Sequence, residues 1–222
     1  MSYLQPYGDT MLPVEYTHPT PDGGMNFQRG SVPLALFLSW IQHATSSTRA
    51  VNNITQKLYV AQASLSLLPT PLHNDLAVPE YVQKAGKGDI YDSSLWMGLA
   101  PTYTPLHRDP NPNLFVQLVG SKRVRILTPE QGERLFGVVR EEVNGEDGGG
   151  GSKAFRGEEM MAGKERRVLE EKVWGESRVE GVDKGWEAEV RDGDGMFIPT
   201  GFWHSVKGIG AGLTASVNWW FR

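Results

Sequence analysis

The 222-residue chain contains no cysteine. That absence excludes disulfide staples, a thiolate nucleophile and any zinc or iron–sulfur centre built on Cys ligands. A bound metal must be held by nitrogen and oxygen donors, and an intracellular address, cytoplasmic or nuclear, is the simplest expectation. No apolar run reaches the roughly 18 residues needed to span a bilayer. The opening Met1-Ser-Tyr-Leu-Gln-Pro6 lacks the basic-then-apolar order of a signal peptide. Positive charge is not in surplus either: 22 Lys and Arg against 26 Asp and Glu give −4. The chain therefore offers no global case for coating nucleic acid or a membrane. A hydrophobic content of 39% excludes wholesale disorder. The length suits one domain with a real core.

What is abundant is turn chemistry. The 26 Gly and 14 Pro are spread along the chain without period, as in a β-rich fold. The first 30 residues read as extended segments and turns. A helix is expected over about 33–43, where Leu34, Phe37, Leu38 and Ile41 recur at helical spacing behind Ser31. Residues 57–62 read as a short strand that leads, through Leu65, Leu67 and Leu68, into a Pro-punctuated loop. From 94 to 127 the chain turns β. Strand 114–119, a Gly-first two-residue turn at Gly120-Ser121 and a return strand 122–127 predict a hairpin. Further β blocks are expected over 186–206 and 213–222. Between them, residues 137–192 hold 15 acidic and 10 basic side chains and the run Gly148-Gly-Gly-Gly-Ser152. The expectation is a single domain over 1–222 with a flexible, charged, Gly-rich insertion at about 137–185, carrying a charged helix near 164–173.

The chemistry concentrates in Thr104-Pro-Leu-His107-Arg-Asp109. Residues two apart on a strand point the same way, so His107 and Asp109 can face one point. By itself the pair is equally a surface histidine beside a turn aspartate. Downstream, Gly193-Asp-Gly-Met-Phe-Ile-Pro-Thr-Gly-Phe-Trp-His204 delivers a second imidazole, which alone reads as a core histidine. Together the segments supply two His and one carboxylate, the set that occupies one face of a non-haem Fe(II). His18, His43 and His73 have no carboxylate at useful spacing and read as surface or packing residues.

Lys122 shares a strand face with Val124 and Ile126. If that face is core, an ammonium points inward, at high cost without a counter-anion. The competing reading is a lysine beside a turn that bends out to water. Spacing does not decide between them.

These residues resemble the Jumonji-C (JmjC), cupin-like Fe(II)- and 2-oxoglutarate-dependent oxygenases, and especially the protein-hydroxylase branch. The matching segments are His107-x-Asp109, then Asn113-Leu-Phe-Val-Gln-Leu-Val-Gly-Ser-Lys122-Arg, and Gly193-Asp194 to Trp203-His204. Leu58-Tyr59-Val-Ala-Gln62 and Asp75-Leu-Ala-Val-Pro-Glu-Tyr81 extend the likeness, which covers roughly 56–136 and 186–222. It implies a mainly β fold with flanking helices, a double-stranded β-helix (cupin-like jelly roll) with the metal at its mouth. It implies that His107, Asp109 and His204 bind iron. It implies that Lys122, aided by Tyr59 and Thr104, takes the distal carboxylate of 2-oxoglutarate. Asn113 and Asn218 match positions near the cosubstrate, while Trp96, Trp220 and Gln62 match the substrate side; the two tryptophans read equally as aromatic core.

The implied activity uses Fe(II), 2-oxoglutarate and O2 to hydroxylate a protein side chain of arginine or lysine type, ahead of demethylation. A protein or peptide partner is expected ahead of tRNA. A metal-binding cupin enzyme without 2-oxoglutarate and an inactive JmjC interaction module are the alternatives. Related proteins carry more sequence before the strand resembling Leu12-Pro-Val-Glu15, so some supporting structure is expected to be missing. The acidic insertion is longer than usual, and such loops overhang the mouth.

Overall fold

Two strands of 19 residues form the spine of the fold: β4 (Ile90–Arg108) and β9 (Trp203–Phe221), antiparallel along almost their whole length. The computed structural model describes residues 2–19, 25–46, 57–85, 87–147, 163–176, 179–183 and 185–222. The first half of β4 continues outward into β3 (Lys57–Ser64), β1 (Met11–Pro19) and β2 (Met25–Pro33). On its other side β9 serves two neighbours. Its C-terminal half pairs with β5 (Asn113–Val119) and thence β8 (Gly195–Ile198), its N-terminal half with β6 (Ser121–Leu127) and thence β7 (Trp186–Val190). Every pairing is antiparallel, and the two halves enclose a space between them. This is the mainly β, cupin-like roll that the sequence implies.

The hairpin expected at Gly120-Ser121 is not formed. β5 and β6 do not pair with each other; both run along the same side of β9, and the register jumps from Val119↔Ala215 to Ser121↔Ile209. Gly120 marks the bend. Its φ is +71°, and a Cβ there would sit 2.6 Å from the Leu213 carbonyl oxygen, so only glycine fits. The β blocks expected at 186–206 and 213–222 are likewise redistributed, since residues 203–221 are one strand.

The helix expected at 33–43 is α1 (Leu34–Ser46). Its Leu34, Phe37, Leu38 and Ile41 pack on Leu12, Val14, Val60, Met97 and Val217 on the outer face of the larger half. Burying each such side chain contributes about 1.5–3 kcal/mol. The Pro-punctuated loop contains two short helices, α2 (Thr70–Asp75) and α3 (Glu80–Ala85).

The insertion is reshaped as well. Its first part belongs to α4 (Pro129–Asp147), and the charged helix forms as α5 (Gly163–Trp174). α5 is not a solvated, flexible element. Val168, Leu169 and Val173 are buried with Leu135, Phe136 and Val139 of α4 against Leu106 and Trp203, a second core behind the smaller half of the roll. The Gly148–Ser152 run lies outside the described residues. Among the described residues no helix is long and apolar enough to cross a membrane.

Candidate metal centre

His107 and His204 are direct partners in the β4–β9 ladder. Opposed residues of an antiparallel pair project to the same face, and here their rings lie 4.1 Å apart between centroids, 52° between planes. An irregularity between Thr104 and His107, at Pro105-Leu106, sets this register. Asp109, just past the end of β4, turns to the same side. One ligand atom from each of His107, Asp109 and His204 lies within 4.8 Å of the others, and His204 Nε2 is 3.6 Å from Asp109 Oδ2.

His107 and Asp109 are held from behind. The Pro105 carbonyl sits 2.9 Å from His107 Nδ1, which makes that nitrogen the protonated one and turns the Nε2 lone pair to the centre. Asp109 Oδ2 accepts from Trp220 Nε1 at 2.8 Å and from Asn113 Nδ2 at 2.9 Å. Asn113 in turn accepts from Asn218 Nδ2 at 3.0 Å. Burial raises the Asp109 carboxyl, but His204, His107 and the Trp220 and Asn113 donors outweigh it, leaving it below the usual carboxylate range.

Deeper in the roll lies Lys122, 1% exposed. Its Nζ donates to Ser216 Oγ at 2.6 Å and stands 5.4 Å over the Phe115 ring. Among the described residues no carboxylate pairs with it. Burial pushes its pKa down to about 7. The outward-bent lysine is thereby excluded. A buried ammonium with no counter-anion among the described residues is costly.

The triad, Lys122, Tyr59, Thr104, Trp96, Asn113, Asn218 and Trp220 all line one inner chamber of 40 Å³. It opens into a mouth of 610 Å³ through Tyr59, Trp96, Thr104, His107, Asp109 and Trp220, which line both. Tyr59 reaches the chamber because Gly98 opposes it across β3–β4, where a Cβ would lie 2.4 Å from Tyr59 Cδ2. Burial raises the Tyr59 phenol above its usual range, so it stays a neutral hydroxyl. Among the described residues the buried Trp96 indole N–H has no hydrogen-bond partner.

The remaining expected residues divide between the chamber and the mouth. Asn113 and Asn218 sit in the chamber, but their amides are engaged in the hydrogen-bond chain to Asp109, and Trp220 joins them there as a donor. Gln62 stays outside the chamber, exposed in the mouth at an irregularity of β3 with a φ of 50°. Sequence reading missed Ser216, Phe115 and Val206 in the chamber and Arg29 and Asp92 in the mouth. Ser216 was within reach, since it shares the strand alternation of Asn218 and Trp220.

A β roll with two histidines and one carboxylate at its mouth defines a metal-binding cupin. The chain matches the cupin-like domain family over residues 2–222 and belongs to it. It is a cupin-like JmjC domain of the Fe(II)/2-oxoglutarate oxygenase family. Similar proteins include Jumonji C domain-containing protein 5 of Drosophila melanogaster, 25% identical over 98% of this chain and 48% of that protein. Lysine-specific demethylase JMJ30 of Arabidopsis thaliana is 28% identical over 73% of this chain and 33% of its own length. Lysine-specific demethylase 8 of Danio rerio is 36% identical over 35% of this chain and 20% of its own. The chain thus spans about half the length, or less, of these relatives.

Proposed function

We propose that the protein is an Fe(II)- and 2-oxoglutarate-dependent oxygenase that hydroxylates an arginine or lysine side chain of a protein. The observation that carries this reading is Lys122, a buried ammonium with no acidic partner among the described residues, in the same chamber as the His107–Asp109–His204 cluster. A metal-only cupin has no use for that cation, and an inactive interaction module has no need for three aligned ligands.

His107, Asp109 and His204 would hold iron, matching the donor set of a facial triad. Lys122 would pair with the distal carboxylate of 2-oxoglutarate, with the Tyr59 and Thr104 hydroxyls beside it. When bound, iron and 2-oxoglutarate activate O2, the cosubstrate leaving as succinate and CO2 while one oxygen atom enters the substrate C–H bond. The chain's own residues orient and exclude. Trp220 and Asn113 fix Asp109, Pro105 fixes His107, and Phe115 and Val206 wall the chamber from water.

Glu15 in the mouth is paired with Arg29, which leaves Asp92, beside Trp96 and Trp220, to suit a cationic side chain. Asp92 there disfavours a polyanion, which supports a peptide over tRNA. An intracellular protein, cytoplasmic or nuclear, is the matching partner. A second reading, removal of an N-methyl group, is favoured by the names of two similar proteins, both lysine-specific demethylases. Incubation with Fe(II), 2-oxoglutarate and arginine-, lysine- and methyl-lysine-containing peptide pools separates them. Succinate release with gain of one oxygen by an unmethylated peptide supports hydroxylation. Formaldehyde release with loss of methyl supports demethylation, and no succinate with any pool or with tRNA overturns both.

A further inference from the structure

A second cavity, of 460 Å³, adjoins the mouth and shares Glu15 and Tyr59 with it. Its character is different. The Tyr103 ring contributes to its wall, with Arg166 Cζ 4.8 Å and Lys207 Nζ 5.4 Å from the ring centroid. Both cations rest on one carboxylate: Glu170 lies 2.8 Å from Lys207 and 3.6 Å from Arg166. One negative charge therefore serves two positive ones, and these contacts hold the two cations in place. A third cation, Lys57, lines the same cavity, exposed and without an ion-pair partner among the described residues. Glu15, at the border with the mouth, is engaged by Arg29 at 3.3 Å. The groove is thus net positive, beside a mouth that carries Asp92 and Asp109 as well as the Glu15–Arg29 pair.

The spacing fits one extended chain crossing both. Lys57 is two residues from Tyr59 along β3 and on the same face of that strand, about 7 Å away, while Lys207, on the opposite face of β9 from His204, reaches the cavity beside Arg166. An extended peptide covers that distance in about two to four residues. We propose that this groove binds an acidic side chain of the polypeptide substrate, about two to four residues from the residue that enters the chamber. The inference rests on reading the mouth as a protein-substrate site. A phosphate of nucleic acid would meet the same three cations, but its neighbours would then have to pass the carboxylates of Glu15, Glu170 and Asp92. A peptide that alternates a cation with an anion satisfies both cavities.

The test is capture of peptides by the full chain, without metal or 2-oxoglutarate, so that it reads the groove independently of turnover. One degenerate pool surrounds a fixed central arginine, a second a fixed lysine. The expected result is at least threefold enrichment of Asp and Glu over Asn and Gln at one or more positions two to four residues from the centre, weakening with salt. Lys57→Glu and the double variant Lys57→Gln/Arg166→Gln should abolish the enrichment while leaving uncoupled 2-oxoglutarate decarboxylation and the melting temperature unchanged. Lys57 is exposed, so its replacement does not threaten the fold. Absence of acidic enrichment, or its persistence in both variants, overturns the proposal. So does tighter capture of a single-stranded RNA oligonucleotide than of acidic peptides through these residues. Failure to make succinate with acidic enrichment intact would instead refute the oxygenase reading and leave the groove standing.

Discussion

Trp220 Nε1 and Asp109 Oδ2 are 2.8 Å apart, and Asn113 shares the same oxygen at 2.9 Å. Two donors on one carboxylate oxygen orient the carboxylate. Outer hydrogen bonds of this kind are commonly worth 10–100-fold in metal affinity. Trp220→Phe and Asn113→Ala should each weaken Fe(II) or Co(II) binding by about one order of magnitude, read by titration of the metal alone. His107→Ala and His204→Ala should abolish it. An unchanged affinity in Trp220→Phe would show that the indole N–H does not position the carboxylate.

Lys122→Met deletes a charge while keeping the stem. Leaving a buried anion unpaired costs roughly 3–5 kcal/mol, so KM for 2-oxoglutarate should rise by at least about two orders of magnitude. Metal affinity without cosubstrate should stay unchanged, because Lys122 is not a ligand. Lys122→Arg should rescue only in part, since a planar guanidinium does not fit the space of a compact ammonium.

The same lysine makes stability depend on pH in an unusual direction. Its folded pKa is about 7 because of burial, against an ordinary 10.5. Below pH 7 both folded and unfolded states carry the proton, and the full cost of the buried charge is present. Between about 7 and 10.5 the unfolded chain keeps a proton that the folded chain has shed, so this group's contribution rises with pH. Lys122→Met should therefore stabilise the metal-free protein at pH 6, by roughly 1–3 kcal/mol, and by less at pH 9. Binding of 2-oxoglutarate should take up a proton above pH 7 and weaken as pH rises, which calorimetry in buffers of different ionisation heat would detect. Melting curves of wild type and variant that run parallel in pH would contradict the burial of this charge.

Replacing residues 145–180 with a Gly/Ser linker should destabilise the protein, in contrast to what its charged composition suggests. The replacement removes Val168, Leu169 and Val173 and uncovers Trp203, the neighbour of His204. Leu169→Ala alone should cost about 2–5 kcal/mol in denaturant unfolding. A cost near zero would mean that α5 is dispensable to the second core.

Gly120→Ala should also be destabilising, by about 1–3 kcal/mol, since it meets a backbone oxygen and adopts a left-handed φ. Unfolding midpoints measure it directly. The shift should carry through to 2-oxoglutarate binding, because Lys122 lies two residues beyond the bend.

The fold was legible where local pattern and tertiary role agree. α1 announced itself through Leu34, Phe37, Leu38 and Ile41, and His107-x-Asp109 through strand alternation. The hairpin misled because a Gly-Ser bend looks the same locally whether its flanking strands pair with each other or with a third. That third strand, β9, begins more than 80 residues later. α5 was misread because its three buried residues are diluted among Lys, Arg and Glu, and a helix this polar shows its apolar stripe only against its partners. The duties of Asn113, Asn218 and Trp220 were hidden for a similar reason. Two of their three hydrogen bonds join residues more than 100 positions apart, and the type of residue says only that a donor is present, not which acceptor it meets.

Because His107 and His204 face each other as one rung of the β4–β9 ladder, a metal bound there is also a cross-link. It would clip together two strands connected covalently only through a chain of nearly 100 residues, much as a covalent bridge does in a cysteine-bearing protein, and this chain has no cysteine to do so. Loading the metal would therefore slow fraying at the mouth end of the ladder. Amide exchange around 104–108 and 203–206 would report occupancy even where no substrate is known.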